Sequence, residues 1–315
     1  MEKKEENSLE FAIIGAQKSA TTSLLNALKS HSDVWMPAGE TRVFEDPFFN
    51  EESLVQFRKT IGKSAEVRGI KRPDLLPDLK SIKRLLENFP DVKLVLVLRD
   101  PVDRAISAYY HYIRYDGLPV VDHEEGFARI FSGEWDELWP RGQSVLNYGC
   151  YGSQLRDLLS EVERERVGVF WHDDIVKDTQ KVLREVGQFL GVKGDDFSEV
   201  SKSRRSQQTV FSLKRLKFLG LRGLLCFRWS KDRTWRVHRF GKVSQLLWYL
   251  FEGVDRFVLK PFLGNQKPTV SEELREKLTA FYREEIGLLG SFVDLPESWF
   301  QKYDAETNPR DFSEK

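Results

Sequence analysis

The chain has 315 residues, of which 40% are apolar and 12% aromatic, enough to bury the core of one large α/β domain or two smaller ones. Its 49 basic and 49 acidic residues cancel, so no overall charge argues for a nucleic-acid partner, and we predict none. Two cysteines, Cys150 and Cys226, are too few for a disulfide framework, and we expect both to be free thiols.

Residues 1–10 read MEKKEENSLE and are predicted to form a flexible N-terminus. Their charge and their lack of an apolar core do not fit a signal peptide or a membrane anchor. This composition favours a cytoplasmic, bacterial-type enzyme.

The stretch from Phe11 to Leu28, FAIIGAQKSATTSLLNAL, predicts a buried strand, a polar loop and a helix. An apolar run ends at Gly15, and leucines recur at helical spacing from Leu24 onward. The loop between them offers one ammonium and four hydroxyls close to a helix N-terminus, where exposed amides favour a phosphate. The alternative is a Ser/Thr-rich helix cap that binds no ligand.

The nucleotide-triphosphate loop G-x-x-x-x-G-K-[ST] does not fit this stretch, because Ala20 and Thr21 stand where its second Gly and its Lys should be. The sequence GAQKSATTSL resembles instead the 5′-phosphosulfate loop of sulfotransferases that use 3′-phosphoadenosine 5′-phosphosulfate (PAPS). That resemblance implies that PAPS is the donor and that Lys18 stabilises the oxygen of the leaving group. The donor-binding residues it implies in this loop are Gly15, Lys18, Ser19, Ala20, Thr21, Thr22 and Ser23.

Two further segments carry residues that the resemblance makes catalytic. GETRVFEDPFF keeps the Glu and Phe of the K-E-x-x-x-F segment of heparan-type sulfotransferases, which implies Glu40 as the base, although Gly39 replaces the usual Lys. VRGIKRP places Lys71 where the family has a Lys that helps to hold the sulfuryl group. The alternative for Lys71 and Arg72 is a solvated basic pair ahead of a turn.

The run LVLVLRDPVDRAISAYYHY predicts a second strand followed by a helix. Leu94 to Leu98 suit a central parallel strand, and Asp100 with Pro101 is typical of a helix start. Arg99 at the strand end and Ser107 about two helical turns along resemble the family's 3′-phosphate site. Because Asp100 is better explained as a helix cap than as a magnesium ligand, we predict no metal.

Later segments give weaker signals. Tyr148 precedes a predicted helix, where related sulfotransferases place a Tyr near the nucleotide or the acceptor, and Tyr151 fits as well, with core packing as the alternative for each. The run VGVFW predicts another strand, followed by a helix that stops at Gly191. The basic loop around Arg204 lies where the family closes over the 3′-phosphate.

From Lys214 to Lys242 the chain has ten basic residues against one acid, Asp232, interleaved with apolar side chains. This segment belongs to a variable, helical, basic and aromatic insertion at about 205–265. It is either a solvated surface insertion or a surface that receives an anionic glycan or lies against an anionic membrane.

Together these patterns predict one sulfotransferase domain over residues 1–315, with a P-loop-like three-layer α/β fold whose central parallel sheet is flanked by helices. The predicted reaction transfers a sulfuryl group from PAPS to a hydroxyl of a carbohydrate, a glycolipid or another small acceptor. The predicted location is cytoplasmic, with peripheral contact at the inner membrane face left open. The alternatives are a P-loop kinase and a nucleotide-dependent membrane-binding module.

Overall fold

The structure, a computed structural model, describes residues 8–62, 65–192, 197, 209–230 and 235–304. The chain divides into two compact units, the first formed by residues 1–100, 150–206 and 283–315 and the second by residues 101–149 and 207–282. The strands are β1 (Phe11–Gly15), β2 (Val34–Trp35), β3 (Val67–Lys71), β4 (Lys93–Leu98), β5 (Val167–Trp171), β6 (Phe227–Trp229) and β7 (Arg236–His238). The helices are α1 (Thr21–Leu28), α2 (Glu51–Thr60), α3 (Leu79–Asn88), α4 (Pro101–Arg114), α5 (His123–Phe131), α6 (Arg141–Asn147), α7 (Tyr151–Leu159), α8 (His172–Lys177), α9 (Thr179–Leu190), α10 (Leu213–Cys226), α11 (Lys242–Val254), α12 (Lys260–Leu263), α13 (Glu272–Gly290) and α14 (Glu297–Tyr303).

The first unit is built on a parallel sheet of five strands in the order β2-β3-β1-β4-β5. β1 and β3 are buried along their whole length, as expected of parallel strands that are covered on both faces. Ile13 of β1 pairs with Lys71 at the end of β3, and Gly15 pairs with Leu96 of β4. The carboxyl ends of β1, β3 and β4 therefore meet at one edge of the sheet, where ligands bind in open α/β folds.

One face of this sheet is covered by α1 and α9. Apolar side chains of β1 and β4 share a buried cluster with Leu24, Leu25 and Leu28 of α1 and with Val182 and Val186 of α9. Burial of side chains of this kind contributes about 1.5–3 kcal/mol each. This packing fixes the start of α1, and with it the loop that precedes α1.

The second unit is mainly helical and contains a short antiparallel hairpin, β6 with β7. Its interior holds ion pairs, of which Arg215 with Asp255 is the most buried, at 2.7 Å. Arg222 pairs with Glu252 and donates to the backbone oxygen of Arg114, both in close contacts. Three cations of the basic segment 214–242 are thus internal partners, since Arg236 also pairs with Asp116, at 3.1 Å.

The strands and helices predicted around the phosphate motifs are present, and the predicted stop at Gly191 is confirmed by its left-handed φ of 75°. The helix predicted before that stop is two helices, because Asp178 caps α9 by accepting a hydrogen bond from the backbone N–H of Lys181 at 3.0 Å. Cys150 and Cys226 are free thiols, as predicted. Whether residues 1–315 act as a single domain stays a prediction.

Within the described residues, no helix combines the length and the apolar character that a membrane crossing requires.

Candidate active site

The loop between β1 and α1 has a backbone that few residues adopt easily. Lys18 and Ala20 both have positive φ angles, 70° and 66°. A side chain at Gly15 would come within 2.7 Å of Leu76, so glycine is required at that position. Ala20 occupies the N-cap of α1 but has no polar side chain to accept from the helix amides. The loop therefore leaves the positive end of α1 available to an anion.

Ser19 lies in the middle of this loop and is fully buried. Its Oγ finds no hydrogen-bond partner among the residues that the structure describes. Leaving a buried hydroxyl unpaired costs about 1–3 kcal/mol, so a native protein seldom keeps one without a reason. An anion with accepting oxygens, such as the 5′-phosphosulfate predicted for this loop, would satisfy this hydroxyl.

Lys71 joins the loop helix to the predicted base. Its Nζ donates to Oγ1 of Thr22 at 2.8 Å and lies 3.0 Å from Oε1 of Glu40. The backbone N–H of Thr41 donates to the carbonyl oxygen of Lys71 at 3.1 Å, which holds the Glu40 segment at the end of β3. Lys71 therefore contacts two residues that were predicted from separate motifs, Thr22 and Glu40.

Arg72 has surroundings that its sequence context did not predict. It is buried, as Lys71 is, so the two are not a solvated basic pair. One guanidinium nitrogen donates to Oε2 of Glu40 at 2.6 Å, and the other two bond both carboxylate oxygens of Glu45. Asp74 completes the set, 3.1 Å from Arg72. These acids raise the pKa of Arg72 against the opposing effect of burial, so it carries a permanent charge.

The protonation of Glu40 follows from these neighbours. Burial alone would raise the pKa of its carboxyl group, but the charges of Lys71 and Arg72 and their hydrogen bonds outweigh burial and hold the pKa below its ordinary value. Glu40 is consequently ionised near neutral pH and able to accept a proton. The two cations stand beside it although Gly39 replaces the lysine that usually precedes this Glu.

Arg99 extends the loop region on the β4 side. One of its guanidinium nitrogens donates to the backbone oxygen of Lys18 at 3.3 Å. Its own backbone oxygen accepts from the hydroxyl of the buried Tyr151 at 3.0 Å, which fixes the end of β4. The structure therefore brings Arg99 to the loop and gives Tyr151 a positioning contact, while the binding of the 3′-phosphate by Arg99 stays a prediction.

Two other predicted residues belong to the second unit. The hydroxyl of Ser107 in α4 lies 3.3 Å from that of Thr209. Tyr148 forms the C-cap of α6, and its hydroxyl accepts from Arg141 at 3.3 Å. The part of the chain that the structure describes does not include Arg204. The binding roles of Ser107, Tyr148 and Arg204 stay predictions.

A cleft of about 720 Å³ lies beside the segment that carries Glu40. Its lining combines residues around that segment with one side of α2, and most of the side chains can form hydrogen bonds. The lining residues are Pro37, Thr41, Arg42, Val43, Asn50, Glu52, Ser53, Gln56, Phe57 and Thr60.

Metal ligands do not cluster in the described residues, where no group of three or more His, Cys, Asp or Glu side chains is arranged to hold an ion. Asp100, the residue considered for magnesium, accepts from Lys302 at 2.7 Å and from the hydroxyl of Tyr303 at 3.1 Å. It thereby ties the end of β4 to α14.

Comparison with known proteins identifies the family to which this chain belongs. Residues 10–290 match the family model described as a sulfotransferase domain, and the chain therefore belongs to that family. The membership predicted from the loop is confirmed. The chain is 24% identical over 274 residues to heparan sulfate glucosamine 3-O-sulfotransferase 3A1 of Mus musculus, with 86% of this chain and 59% of that protein covered. It is 23% identical to the 3B1 protein of Homo sapiens, with 86% and 60% covered.

The chain spans about 60% of the length of these relatives. Among solved structures, a sulfotransferase from Alicyclobacillus acidocaldarius has a similar fold, with a TM-score of 0.64, 20% identity, and 93% of this chain and 98% of that chain covered. Mouse sulfotransferase SULT7A1 complexed with PAP is also similar, with a TM-score of 0.50, 14% identity and coverages of 96% and 90%. The predicted P-loop-like α/β fold is therefore confirmed.

Proposed function

We propose that the protein transfers the sulfuryl group of PAPS to a hydroxyl of a carbohydrate, a glycolipid or another hydroxyl-bearing acceptor, without a metal. In this reaction the acceptor oxygen bonds to sulfur, and the bond from sulfur to the bridging phosphate oxygen breaks. Adenosine 3′,5′-bisphosphate (PAP) leaves, and the acceptor proton passes to Glu40. Lys18 stabilises the charge that develops on the bridging oxygen, and Lys71 orients the sulfuryl group.

The observation that carries the proposal is the contact of Lys71 with both Thr22 and Glu40. One ammonium group connects a residue of the donor loop to the base, so the group being transferred and the acceptor hydroxyl meet at the same place. Sulfuryl transfer requires this juxtaposition, since the base acts on the oxygen that attacks sulfur.

Donor binding is supported by the unpaired Ser19 hydroxyl and by the contact of Arg99 with the loop. We assign the 5′-phosphosulfate to the loop residues from Gly15 to Ser23, which include Ala20 and Thr21, and the 3′-phosphate to Arg99. We keep Ser107, Tyr148 and Arg204 as further donor contacts on the strength of their sequence positions. A guanidinium group binds a phosphate through two parallel hydrogen bonds, which a lysine cannot reproduce.

The acceptor is assigned to the cleft beside Glu40. Its amide, hydroxyl and charged side chains suit an acceptor rich in hydroxyl groups, and its volume of about 720 Å³ is large enough for one or two sugar rings. The relatives named for heparan sulfate glucosamine support a carbohydrate. We place the protein in the cytoplasm, where its basic segment would contact either an anionic glycan or the inner face of an anionic membrane.

Thermal shift measurements with PAP, compared with ATP plus magnesium, test the proposal. PAP should raise the melting temperature of the wild type, and ATP with magnesium should do so much less. Arg99→Ala should weaken PAP binding by about one to two orders of magnitude, because it removes a charge-assisted contact. Arg156→Ala removes an exposed arginine that pairs with Asp157, and it should behave as wild type. Equal stabilisation by ATP plus magnesium would point to a kinase.

Transfer of label from sulfur-labelled PAPS to a panel of carbohydrates and glycolipids, with excess chelator present, tests the reaction itself. We expect labelled product with at least one acceptor, and the chelator should not reduce it. A protein that binds PAP and transfers no label to any acceptor, water included, would contradict the assignment of Lys18 and Glu40.

A further inference from the structure

Large apolar side chains are exposed in one part of the chain far more than elsewhere. Among the described residues, eighteen are exposed, and fourteen of them lie between Leu221 and Leu263. Leu224 is 71% exposed, Phe257 73% and Phe262 84%. Scattered apolar residues are normal on a protein surface, but this many in 43 residues mark an interaction site.

Helix α10 arranges its exposed residues along a single stripe. Lys214, Lys217, Leu221, Leu224 and Leu225 are exposed and recur every three or four residues. At 3.6 residues per turn these positions fall on one side of the helix. The buried residues, which include Arg215, Leu219 and Arg222, fall on the other side. The exposed side of α10 is thus apolar, with two lysines near its start.

Helix α11 repeats this arrangement. Val243, Leu246, Tyr249, Leu250 and Val254 are exposed, and their spacing again places them on one side. Only Ser244 of this helix is fully buried, while Phe251 stacks on Phe218 of α10 with ring centroids 5.1 Å apart. The helix continues through a wider turn at Asp255–Leu259 into α12, where Phe262 and Leu263 are exposed. We call the exposed residues of 214–263 the α10–α12 surface.

The charges of this surface have one sign. Every exposed charged residue in the described part of 213–263 is basic, and these residues are Lys214, Lys217, Arg228, Arg239, Lys242, Arg256 and Lys260. The two described acids of this part, Glu252 and Asp255, bond to Arg114, Arg222 and Arg215 inside the unit. The surface therefore combines exposed apolar side chains with a purely basic set of exposed charges.

The exposed apolar side chains and the exposed basic charges together indicate what kind of partner binds to this surface. A second copy of the chain, packed symmetrically, would set basic residues against basic residues. An anionic glycan would match the charge but would leave the leucines and phenylalanines in water. An anionic lipid surface satisfies both, since acyl chains take up the apolar side chains and headgroups attract the lysines and arginines.

We propose that the α10–α12 surface docks the protein on an anionic lipid membrane, with α10 and α11 lying in the interface plane. The basic sequence pattern was compatible with either a membrane or a glycan as partner. The exposed apolar stripes favour the membrane. The docking does not depend on sulfuryl transfer, since none of its residues belongs to the proposed donor or acceptor sites.

Co-sedimentation of the full chain with vesicles tests the proposal. At low salt, the wild type should sediment with vesicles of phosphatidylcholine containing phosphatidylglycerol and much less with pure phosphatidylcholine. Replacing Leu224, Leu246 and Phe262 by Ser should lower the vesicle partition coefficient about tenfold or more, because apolar area no longer leaves water on binding. Replacing Lys214, Lys217 and Lys242 by Glu should remove the preference for phosphatidylglycerol and its sensitivity to salt.

Matched controls come from exposed residues outside the surface. Leu138→Ser with Val176→Ser, and Lys59→Glu with Lys177→Glu, change exposed residues of the same types elsewhere and should leave sedimentation unchanged. All variants should melt like the wild type and should be stabilised equally by PAP, because exposed substitutions change stability little. Three results would overturn the proposal: a wild type that does not sediment with anionic vesicles at low salt, surface variants that bind as their controls do, or a wild-type dimer that the apolar variant abolishes.

Discussion

Glu40 shows how much the chemistry of one side chain depends on residues distant in sequence. A solvated glutamate in a loop would offer an ordinary pKa and many orientations. Here burial acts to raise the pKa of Glu40, but Lys71 and Arg72 lower it by a larger amount. The same two cations fix both carboxylate oxygens. In its proposed role as the base, Glu40 would be ionised and oriented before the acceptor arrives, at the cost of some basicity.

Glu40→Gln should keep the size of the side chain and one of its two accepting oxygens, and it should remove the proposed base. We expect turnover to fall by about 100- to 10,000-fold, the usual scale for the loss of a proton acceptor. PAP affinity should change little, because Glu40 is assigned to the acceptor and not to the donor. Label transfer and thermal shift measure the two effects separately.

Glu51→Gln, an exposed acid in the first turn of α2, is the matched control and should retain full activity. In the wild type, activity that depends on ionised Glu40 is present above its folded pKa and is lost as pH falls through that value. The acidic limb should therefore lie below the range of an unperturbed Glu. A Glu40→Gln enzyme with near-normal turnover would move the base to another residue.

At the scale of elements, the donor loop is held in a conformation that its own residues resist. Lys18 and Ala20 adopt left-handed backbone angles, which cost a non-glycine residue about 1–2 kcal/mol. The loop keeps them because β1 and α1, which flank it, both pack into the buried cluster of the sheet. Backbone N–H groups of Ala16 and Leu76 bond to the ends of β4 and β1, at 2.8 and 2.9 Å. Strain of this kind is common at ligand sites.

Ala20→Gly should relieve part of this strain. Because glycine adopts a φ of 66° freely, we expect the free energy of unfolding to rise by about 0.5–1 kcal/mol, after allowance for the added freedom of the unfolded chain. Urea denaturation measures the change. Ala280→Gly, in the exposed middle of α13, should instead lose about 1 kcal/mol. Equal losses in the two variants would contradict strain at Ala20.

Individual strands and loops also show which features the sequence could predict and which it could not. β1, β4 and the loop were predictable because apolar runs, Gly15 and helical leucine spacing are local signals. The contacts of Arg72 were not, because Glu45 and Glu40 lie 27 and 32 residues away in sequence and approach it only in the folded chain. The available signal was an Arg directly after a strand-like run, and the sequence alone also allowed a solvated pair. The break at Asp178 was missed because a continuous helical pattern hides an internal cap.

At the scale of the whole molecule, overall neutrality conceals an uneven use of charge. In the second unit, Arg215, Arg222 and Arg236 of the basic segment pair with acids in the interior, while Lys214, Lys217 and Lys242 are exposed. Asp116 is one of these interior acids, and burial raises its pKa to about 6 despite the opposing charges of Arg236 and Arg222. A carboxyl group with this pKa links the stability of the protein to pH.

The sign of this link follows from the raised pKa of Asp116. The folded state binds the proton more tightly than the unfolded chain, so the stabilisation is fully present below the unfolded pKa of 3.8 and is lost as pH rises through about 6. The contribution lost is on the order of 3 kcal/mol at most. Asp116→Asn cannot titrate, so its stability relative to wild type should increase with pH across this range. Parallel urea-denaturation profiles of the two proteins from about pH 4 to pH 7 would contradict the assignment.

The position of Lys71 between Thr22 and Glu40 should make donor binding a proton-linked event. Under the proposed role of Lys71, its ammonium would turn toward the sulfuryl group, so that Glu40 would lose one of the two charges that depress its pKa and would gain an anion nearby. The carboxyl group should then take up part of a proton from solution at mildly acidic pH. Calorimetric titration with PAPS in buffers of different ionisation enthalpy should detect this uptake as a buffer-dependent heat. Glu40→Gln should abolish it, and binding of PAP, which has no sulfuryl group, should show less of it.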